Sequence, residues 1–558
     1  MTITKGLTAL KTKFLKNLLA ALLLALLAAL PAAAAEKRFH ILMINDPHSY
    51  ILPYREAVTD AEGRPAAAYT GGMARALELV REERAKIEAG SGAPVFLFEA
   101  GDIMLGLKGA LTAGEAEYGA LALLGFDAGV LGNHDFDGGV KTLAKLGTKL
   151  KFPVLASNIE FEDERAVGRY FAKSAIIERG GVKLGVFGLV TPELKSVVSF
   201  PEGFEVDADL AAVAERYARE LRAAGADAVV AINHIGLPLD KKLAAEARGI
   251  DVIVGGHTHD AVEEKIIIDN GTNSTLVGQA GLDGRYAGRF DVTVDDGGLV
   301  AEKSSWKLLR VTPETRGVPE VETMGRAAQR EIAAALKIGN PVMGLTRAVD
   351  CTRTAARTRE NEFGSLAAEA FRWRAGARIG MINGGSLRIG RVVPPGPFSS
   401  TDMLDLIPYG DKLRRLLMTG AQIREQLEIS ASSLVAPGEE YDYARRTHSG
   451  EFLHVAGLRF EIDLDGEAAE VMNRRMTRAG SRVRNVTVES ARGWEPLDDE
   501  AVYSVAASAF LCREFGCIRN EETPHSVIEA FDAYCGEALG RRFEPKLDGR
   551  IKITGGGK

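Results

Sequence analysis

The chain has 558 residues, of which 46% are hydrophobic and 26% are charged, and its net charge is −7. This composition excludes a globally disordered chain, a collagen-like fibre and a coiled coil. The first 35 residues carry four lysines and no acidic residue, so the chain without them would carry a net charge of −11. A surface this acidic argues against a protein that neutralises nucleic-acid phosphates, and we expect no nucleic acid polymer among its partners.

Residues 1–35 have the pattern of an export signal. Lysines precede residues 18–30, which are almost all Leu and Ala, and Pro31 is followed by four alanines. The apolar run is short for a helix that must cross a hydrocarbon core of about 30 Å. We therefore expect a cleaved signal peptide, no stable membrane anchor and an exported, most simply periplasmic, protein. An uncleaved anchor is the alternative.

Short apolar or β-branched runs alternate with longer helical patterns from residue 39 to about residue 294. The predicted strands are residues 39–44, 94–98, 128–131, 153–156, 182–189, 228–232 and 251–254, followed by shorter strand patterns at 274–279 and 289–294. Helical patterns lie between them at residues 74–89, 208–223 and 240–247. This alternation predicts a layered α/β domain over residues 36–315.

The rest of the chain predicts a helix and a second domain. A charge-rich helical pattern covers residues 318–336, and prolines at 313 and 341 bound it, so we expect a linker helix within residues 316–341. Residues 342–558 mix helical patterns, as at 365–374 and 420–428, with strand patterns, as at 458–462 and 502–506. We expect a separate α+β domain there. The four cysteines permit disulfides without requiring them.

Five short motifs follow predicted strands and hold five of the nine histidines. They are Asn-Asp-Pro-His at 45–48, Gly-Asp at 101–102, Gly-Asn-His-Asp at 132–135, Asn-His-Ile-Gly at 233–236 and Gly-Gly-His-Thr-His at 255–259. Functional groups of α/β sheets gather at the carboxyl ends of strands, so these loops are expected to meet at one site. Their Asp, His and Asn donors suit a pair of zinc, manganese or iron ions, a clamp used for phosphoryl hydrolysis.

This order of motifs resembles that of the calcineurin-like metallophosphoesterases, specifically the secreted two-domain 5′-nucleotidase and UDP-sugar hydrolase family. The resemblance implies a layered β-sandwich flanked by helices, and two divalent metal ions of undetermined identity. It makes Asp102 the bridging ligand and His134 the catalytic histidine, with Asp137 orienting His134. It makes Asp46, His48 and His259 further ligands of one ion. It makes Asn133, His234 and His257 further ligands of the second ion.

The second domain resembles the family's substrate clamp. Arg353 and Arg357 are similar to its Arg-x-x-x-Arg, and the stretch from Asn383 to Arg388 to its Asn-Gly-Gly-Gly-Ile-Arg. Three arginines in one cleft would suit an oxyanion, because guanidinium groups pair bidentately with such groups. The resemblance also implies two rings around a nucleobase, contributed by Tyr409 and Phe510.

Some residues depart from the family pattern. Ser49 stands where the family usually has Gly, and Asn233 where Ser commonly precedes the ligand His. Gly516 falls where the family has an Asp that holds the ribose. Two interpretations are open: Glu514 substitutes from a shifted loop, or a Cys512–Cys517 bridge reshapes that loop.

The resemblance implies an exported 5′-nucleotidase that releases phosphate from nucleoside 5′-phosphates, with nucleotide sugars as a second substrate class, by attack of a metal-activated water. One alternative is a related enzyme with another substrate, a 2′,3′-cyclic nucleotide phosphodiesterase or a thiosulfohydrolase. Another is a non-catalytic ligand-binding relative. The sequence does not indicate an oligomeric state.

Overall fold

A computed structural model describes residues 36–59, 63–338, 340–435, 449–472, 475–513 and 515–556. The predicted export signal and Glu514 lie outside the described residues. None of the helices in the described part of the chain has the length and hydropathy needed to span a bilayer.

Two β-sheets pack face to face in the first half of the chain, and their buried side chains form one core. In spatial order, the first sheet contains Gly298–Leu299, Tyr286–Asp295, Lys37–Ile44, Val95–Glu99, Ala128–Val130 and Val154–Leu155, and Ser305–Arg310 also pairs with Tyr286–Asp295. The second sheet contains Ile266–Asp269, Ser274–Gln279, Val252–Gly255, Ala228–Asn233, Val182–Phe187 and Ser174–Arg179.

Helices cover the outer faces of this sandwich. On the second sheet, Val213 and Leu243 of helices Leu210–Ala223 and Leu237–Glu246 pack with Ile253 in a separate core. Helix Met73–Gly90 packs on the first sheet. The remaining helices of this half are Gly106–Thr112, Glu115–Leu124, Gly139–Gly147 and Leu194–Val197. The predicted layered β-sandwich flanked by helices is therefore confirmed.

The sequence patterns did not predict the hairpin formed by Tyr54–Thr59 and Pro65–Thr70. Its Arg55 donates hydrogen bonds to the carbonyls of Pro395 (3.1 Å) and Pro397 (3.3 Å), so the hairpin reaches the second half of the chain. Contacts this distant in sequence have no periodic signal.

Helix Pro319–Leu336 joins the two halves. Val321, near its N-terminus, belongs to the core of the sandwich, whereas Ile332 belongs to the core of the second half. The helix is thus packed along its length rather than free as a tether.

The second half is an α+β unit built on a five-stranded sheet. In spatial order this sheet contains Leu453–Ala456, Ile379–Asn383, Val502–Ser508, Lys412–Thr419 and Arg519–Ser526. A four-stranded sheet contains Gly493–Pro496, Val483–Ser490, Leu458–Asp463 and Ile551–Thr554. Smaller sheets contain Gly396–Phe398, Met343–Leu345 and Arg542–Phe543; Val349–Asp350 and Val392–Val393; and Glu470–Met472 and Arg475–Arg478. The helices are Arg353–Thr358, Glu362–Ala375, Ser400–Leu406, Gly420–Ser432, Ala509–Cys512 and Val527–Ala533. A separate α+β unit is therefore confirmed.

Candidate metal centre and active site

The five predicted motifs meet at one edge of the sandwich. Lys37–Ile44 pairs in parallel with Val95–Glu99, which pairs in parallel with Ala128–Val130, so the first three motifs leave the first sheet at the same end. Ala228–Asn233 and Val252–Gly255 are parallel neighbours in the second sheet and carry the other two motifs. The site lies where these carboxyl ends of both sheets converge.

Asp102 is common to two groups of donor atoms. In one group, donor atoms of Asp46, His48, Asp102 and His259 all lie within 4.8 Å of one another. In the other group, donor atoms of Asp102, His234 and His257 also lie within 4.8 Å of one another. Asp102 Oδ2 lies 3.4 Å from His48 Nε2 and 3.1 Å from His234 Nε2. This arrangement fits a carboxylate that contacts two ions at once.

The chemistry of the donor atoms fits divalent metal ions. His48 Nε2, His234 Nε2 and Asn133 Oδ1 are buried and make no hydrogen bond of ordinary geometry within the described residues, although Asp102 lies at ion-pair distance from both imidazole nitrogens. Buried polar atoms are rarely left without a hydrogen bond, and a divalent ion beside these three atoms would satisfy them. The other nitrogens of both rings are fixed, since His48 Nδ1 lies 3.1 Å from Asp283 Oδ1 and His234 Nδ1 lies 2.7 Å from the carbonyl of Ala100. Such contacts orient metal-bound imidazoles.

The electrostatics of the cluster also favours cations. Burial disfavours imidazolium, yet the carboxylates of Asp102 and Asp283 raise the pKa of His48 to about 9. Burial also lowers the pKa of His234, but the carboxylates of Asp102 and Asp46 outweigh this effect and raise that pKa to about 10. At His257, by contrast, burial lowers the pKa to about 3. A buried site whose carboxylates attract protons so strongly also attracts divalent cations.

His134 and Asp137 lie beside this cluster. His134 Nδ1 is 3.0 Å from Asp137 Oδ2, and His134 Nε2 is 3.1 Å from Arg388 Nη2. A guanidinium only donates, so Nε2 accepts and Nδ1 carries the proton that it donates to Asp137. Asp137 is itself held by the Gly106 N–H at 2.7 Å, and the His134 N–H donates to Asp102 Oδ1 at 2.7 Å.

A cavity of about 180 Å³ between the two halves holds most of the predicted site residues. Asp46, His48 and His234 are buried and do not border it. The predicted residues that border it are, from the first half, Asp102, Asn133, His134, Asp137, His257 and His259 and, from the second half, Arg353, Arg357, Asn383, Arg388, Tyr409 and Phe510. The structure thus brings all fifteen predicted residues to one region, with the arginines facing the metal cluster.

Contacts around the cavity position the second half's residues. Arg353 donates to the carbonyl of Thr258 at 2.9 Å, between the two predicted ligands His257 and His259. The Tyr409 ring stacks on His134, with centroids 6.0 Å apart, whereas the Arg513 guanidinium lies 4.9 Å from the Phe510 centroid. Asn383 donates to the carbonyl of Gly450 at 2.9 Å.

The cysteines do not form the suggested bridge. Cys512 and Cys517 are both free thiols, as are Cys351 and Cys535. A Cys512–Cys517 disulfide therefore does not reshape the loop after Phe510, and the suggested substitute Glu514 is outside the described residues.

Sequence reasoning missed Asp283 and Glu193. Asp283 is buried, contacts His48, and donates its N–H to the carbonyl of Asp46 at 2.8 Å. It follows strand Ser274–Gln279 in a glycine-flanked turn, so the strand-end rule applied to the other loops would have found it. Glu193 lines the cavity and follows strand Val182–Phe187, but no histidine or aspartate accompanies it in that loop.

Comparisons with known proteins agree with this arrangement. Residues 39–261 match the family model of the calcineurin-like phosphoesterases, and residues 337–516 match that of the 5′-nucleotidase C-terminal domain. The crystal structure of a 5′-nucleotidase precursor from Thermus thermophilus has a TM-score of 0.77 and 27% identity, covering 92% of this chain and 99% of that one.

Curated relatives give the same result. The 5′-nucleotidase of Mus musculus is 26% identical over 570 residues, which is 94% of this chain and 92% of the relative. The trifunctional nucleotide phosphoesterase protein YfkN of Bacillus subtilis (strain 168) is 27% identical over 509 residues. That match covers 82% of this chain but 32% of YfkN, so the chain spans about a third of that relative's length.

Proposed function

Since its two halves match successive domains of the same enzymes, this chain belongs to the two-domain 5′-nucleotidase-like metallophosphoesterases, which hydrolyse phosphoric esters, and we propose that its substrates are nucleoside 5′-phosphates. The family has a dinuclear divalent metal centre, and the Asp and His cluster fits one. The single observation that carries the proposal is a cavity bordered at once by this cluster, three arginines and two aromatic rings.

Each group of site residues can be assigned to one part of a nucleoside 5′-phosphate. We assign Asp46, His48 and His259 to one ion, Asn133, His234 and His257 to the other, and Asp102 to both. When bound, two ions lower the pKa of a water and neutralise phosphoryl oxygens. Arg353, Arg357 and Arg388 would pair with the remaining phosphoryl oxygens. The planar base would lie against Phe510 or Tyr409, where stacking is worth about 1–3 kcal/mol per base in single-stranded nucleic-acid sites.

His134 would supply the proton for the leaving oxygen. In the present contact Arg388 donates a hydrogen bond to His134 Nε2, so this nitrogen carries no proton. When a phosphoryl group pairs with Arg388 instead, Nε2 would be free to take up a proton from solvent water and to donate it to the leaving oxygen. The Asp137 carboxylate then stabilises the imidazolium through Nδ1. Asn383, which borders the cavity, would contact the substrate beside these groups.

We also propose export. The signal-like residues 1–35 precede the first described strand, Lys37–Ile44, so cleavage after Ala35 would leave the fold intact. Mass spectrometry of the protein from a periplasmic fraction should give Glu36 as the first residue. Retention of residues 1–35 in a membrane fraction would contradict this.

A substrate panel tests the proposed activity. Purified protein with Mn²⁺ is given AMP, UDP-glucose, 2′,3′-cyclic AMP and thiosulfate, and product release is measured. We expect the highest kcat/KM for AMP and a loss of about 10²–10⁴-fold in the His134→Ala variant, which lacks the proton donor. Turnover of another panel member without phosphate release from AMP would refute nucleotidase activity, and turnover of none would favour a binding protein.

A further inference from the structure

Glu193 borders the substrate cavity, and its carboxylate has no hydrogen-bond or ion-pair partner among the described residues. It precedes the short helix Leu194–Val197 of the first half and borders the cavity. Within the described part of the chain, no hydrogen bond or ion pair involves its side chain. Burial alone raises the pKa of this carboxyl. A carboxylate accepts hydrogen bonds only, so a partly buried one gains most from a ligand that brings donors.

Arg513 joins residues that follow Glu193 to the second half near Phe510. Arg513 donates to the carbonyls of Val198 (3.0 Å) and Ser199 (3.3 Å) in the first half, while its guanidinium lies 4.9 Å from the Phe510 centroid in the second. This bridge fastens the segment that follows Glu193 to the wall formed by Phe510.

Among the charged residues that border the cavity, two arginines and Glu193 have different surroundings. Arg388 contacts His134, and Arg353 contacts the carbonyl of Thr258 between two predicted metal ligands, so these cations lie at the metal cluster. Glu193 has no cationic partner among the described residues, and its negative charge repels a phosphoryl group. The phosphoryl end of a substrate therefore belongs with the arginines, and the part of the leaving group that carries donors belongs with Glu193.

We propose that Glu193 accepts hydrogen bonds from the 2′- and 3′-hydroxyls of the leaving ribonucleoside and so determines specificity for ribose. This inference rests on the proposed nucleotidase function. A vicinal diol offers two donors, and a carboxylate offers two acceptor oxygens to receive them. The first half would then bind the sugar as well as carry out the chemistry.

Paired substrates test this role. kcat/KM for phosphate release is measured with AMP and with 2′,3′-dideoxy-AMP, in the wild type and in Glu193→Gln. Hydrogen bonds to a charged acceptor correspond to about tenfold to a hundredfold in affinity, so the variant should lose about that factor with AMP. It should lose less than about twofold with the dideoxy substrate, where the carboxylate has nothing to accept. Equal losses with both substrates, or no loss with AMP, would overturn the proposal.

A neighbouring glutamate serves as the control. Glu202 is exposed on the same segment, so Glu202→Gln should change neither substrate's kcat/KM. If the wild type releases no phosphate from AMP, the proposed function has failed. Calorimetric binding of adenosine against 2′,3′-dideoxyadenosine still decides the role of Glu193: a preference for adenosine that Glu193→Gln abolishes supports the role, and an unchanged preference rejects it.

Discussion

The metal cluster is held by residues in an unusual backbone conformation. Five of the seven proposed ligands have left-handed φ angles, namely Asp46 at 48°, His48 at 50°, Asp102 at 52°, His257 at 84° and His259 at 67°. The left-handed region costs a non-glycine residue about 1–2 kcal/mol. Such conformations persist only where the surrounding structure enforces them, and they are concentrated at functional sites.

Ser49 allows this cost to be measured without removing a ligand. Its φ is 57°, and its Oγ accepts the Leu105 N–H at 3.2 Å. Both Ser49→Gly and Ser49→Ala lose that hydrogen bond, but only glycine escapes the left-handed penalty. We expect Ser49→Gly to be more stable than Ser49→Ala by about 1 kcal/mol in urea denaturation. Equal stability of the two variants would show that the backbone is unstrained.

Asp240 gives the fold a pH dependence. It is fully buried and accepts from Asn233 Nδ2 at 2.9 Å, and burial raises its pKa to about 8. The unfolded chain has a pKa of about 3.9 at this position. The carboxyl therefore stabilises the fold fully below about pH 4, and this contribution declines as the pH rises towards 8.

Asp240→Asn should remove this dependence. We expect the free energy of unfolding of the variant, relative to the wild type, to be higher at pH 8 than at pH 5 by about 1 kcal/mol or more. Glu246→Gln, an exposed change on the same helix, is the matched control. A difference between variant and wild type that stays constant with pH would contradict the assigned pKa.

Two glycines in neighbouring helices differ in the space around them. Gly119 lies in helix Glu115–Leu124, and the nearest atom to an added Cβ would be Met324 Sδ at 3.8 Å. Gly325 lies in helix Pro319–Leu336, where an added Cβ would lie 2.7 Å from Ile51 Cγ2. The first site has room for a methyl group, and the second does not.

The same substitution should therefore have opposite effects in these two helices. Gly119→Ala gains helix propensity of about 0.5–1 kcal/mol and should be stabilised. In Gly325→Ala the same gain is offset by overpacking, which costs about 1–3 kcal/mol, so this variant should be destabilised. Midpoints of thermal unfolding measure both. Stabilisation of both variants would mean that the linker helix is not packed as described.

The elements also show what the sequence could predict. Strands such as Lys37–Ile44 have a local apolar pattern, so the strands and the loops that follow them were predictable, and with them the positions of Asp46 and His48. Arg391 gives no such signal, because its sequence context is that of a surface arginine, yet it is fully buried. Glu193 was missed for the same reason, since its importance depends on a bridge from Arg513, which is distant in the sequence.

A buried charge network joins the two halves. Arg391 Nη2 lies 2.9 Å from Asp402 Oδ1 and 3.1 Å from Asp405 Oδ2, and its Nε donates to the carbonyl of Arg55 at 2.9 Å. Lys108 of the first half contacts Asp405 at 2.8 Å. The four charges are mutually compensating, and removal of one leaves a buried charge without its partner.

Arg391→Ala should consequently be severely destabilised. Breaking a buried ion pair by removing one partner costs about 3–5 kcal/mol, which chemical denaturation would detect. Arg359→Ala is the matched control, because Arg359 pairs with Asp350 at the surface, and its loss should cost at most about 1 kcal/mol. Similar small losses in both variants would show that the network contributes little to the contact between the halves.

The metal content of the purified chain tests the proposed binuclear centre. After dialysis against metal-free buffer, elemental analysis of the wild type should give about two divalent transition-metal ions per chain. Asp102→Asn should lower the occupancy of both sites, since Asp102 belongs to both donor groups. Asp137→Asn should retain both ions while losing activity, because Asp137 contacts His134. A folded wild-type chain that holds no tightly bound metal, or an Asp102→Asn variant that retains two ions, would contradict the proposed binuclear centre.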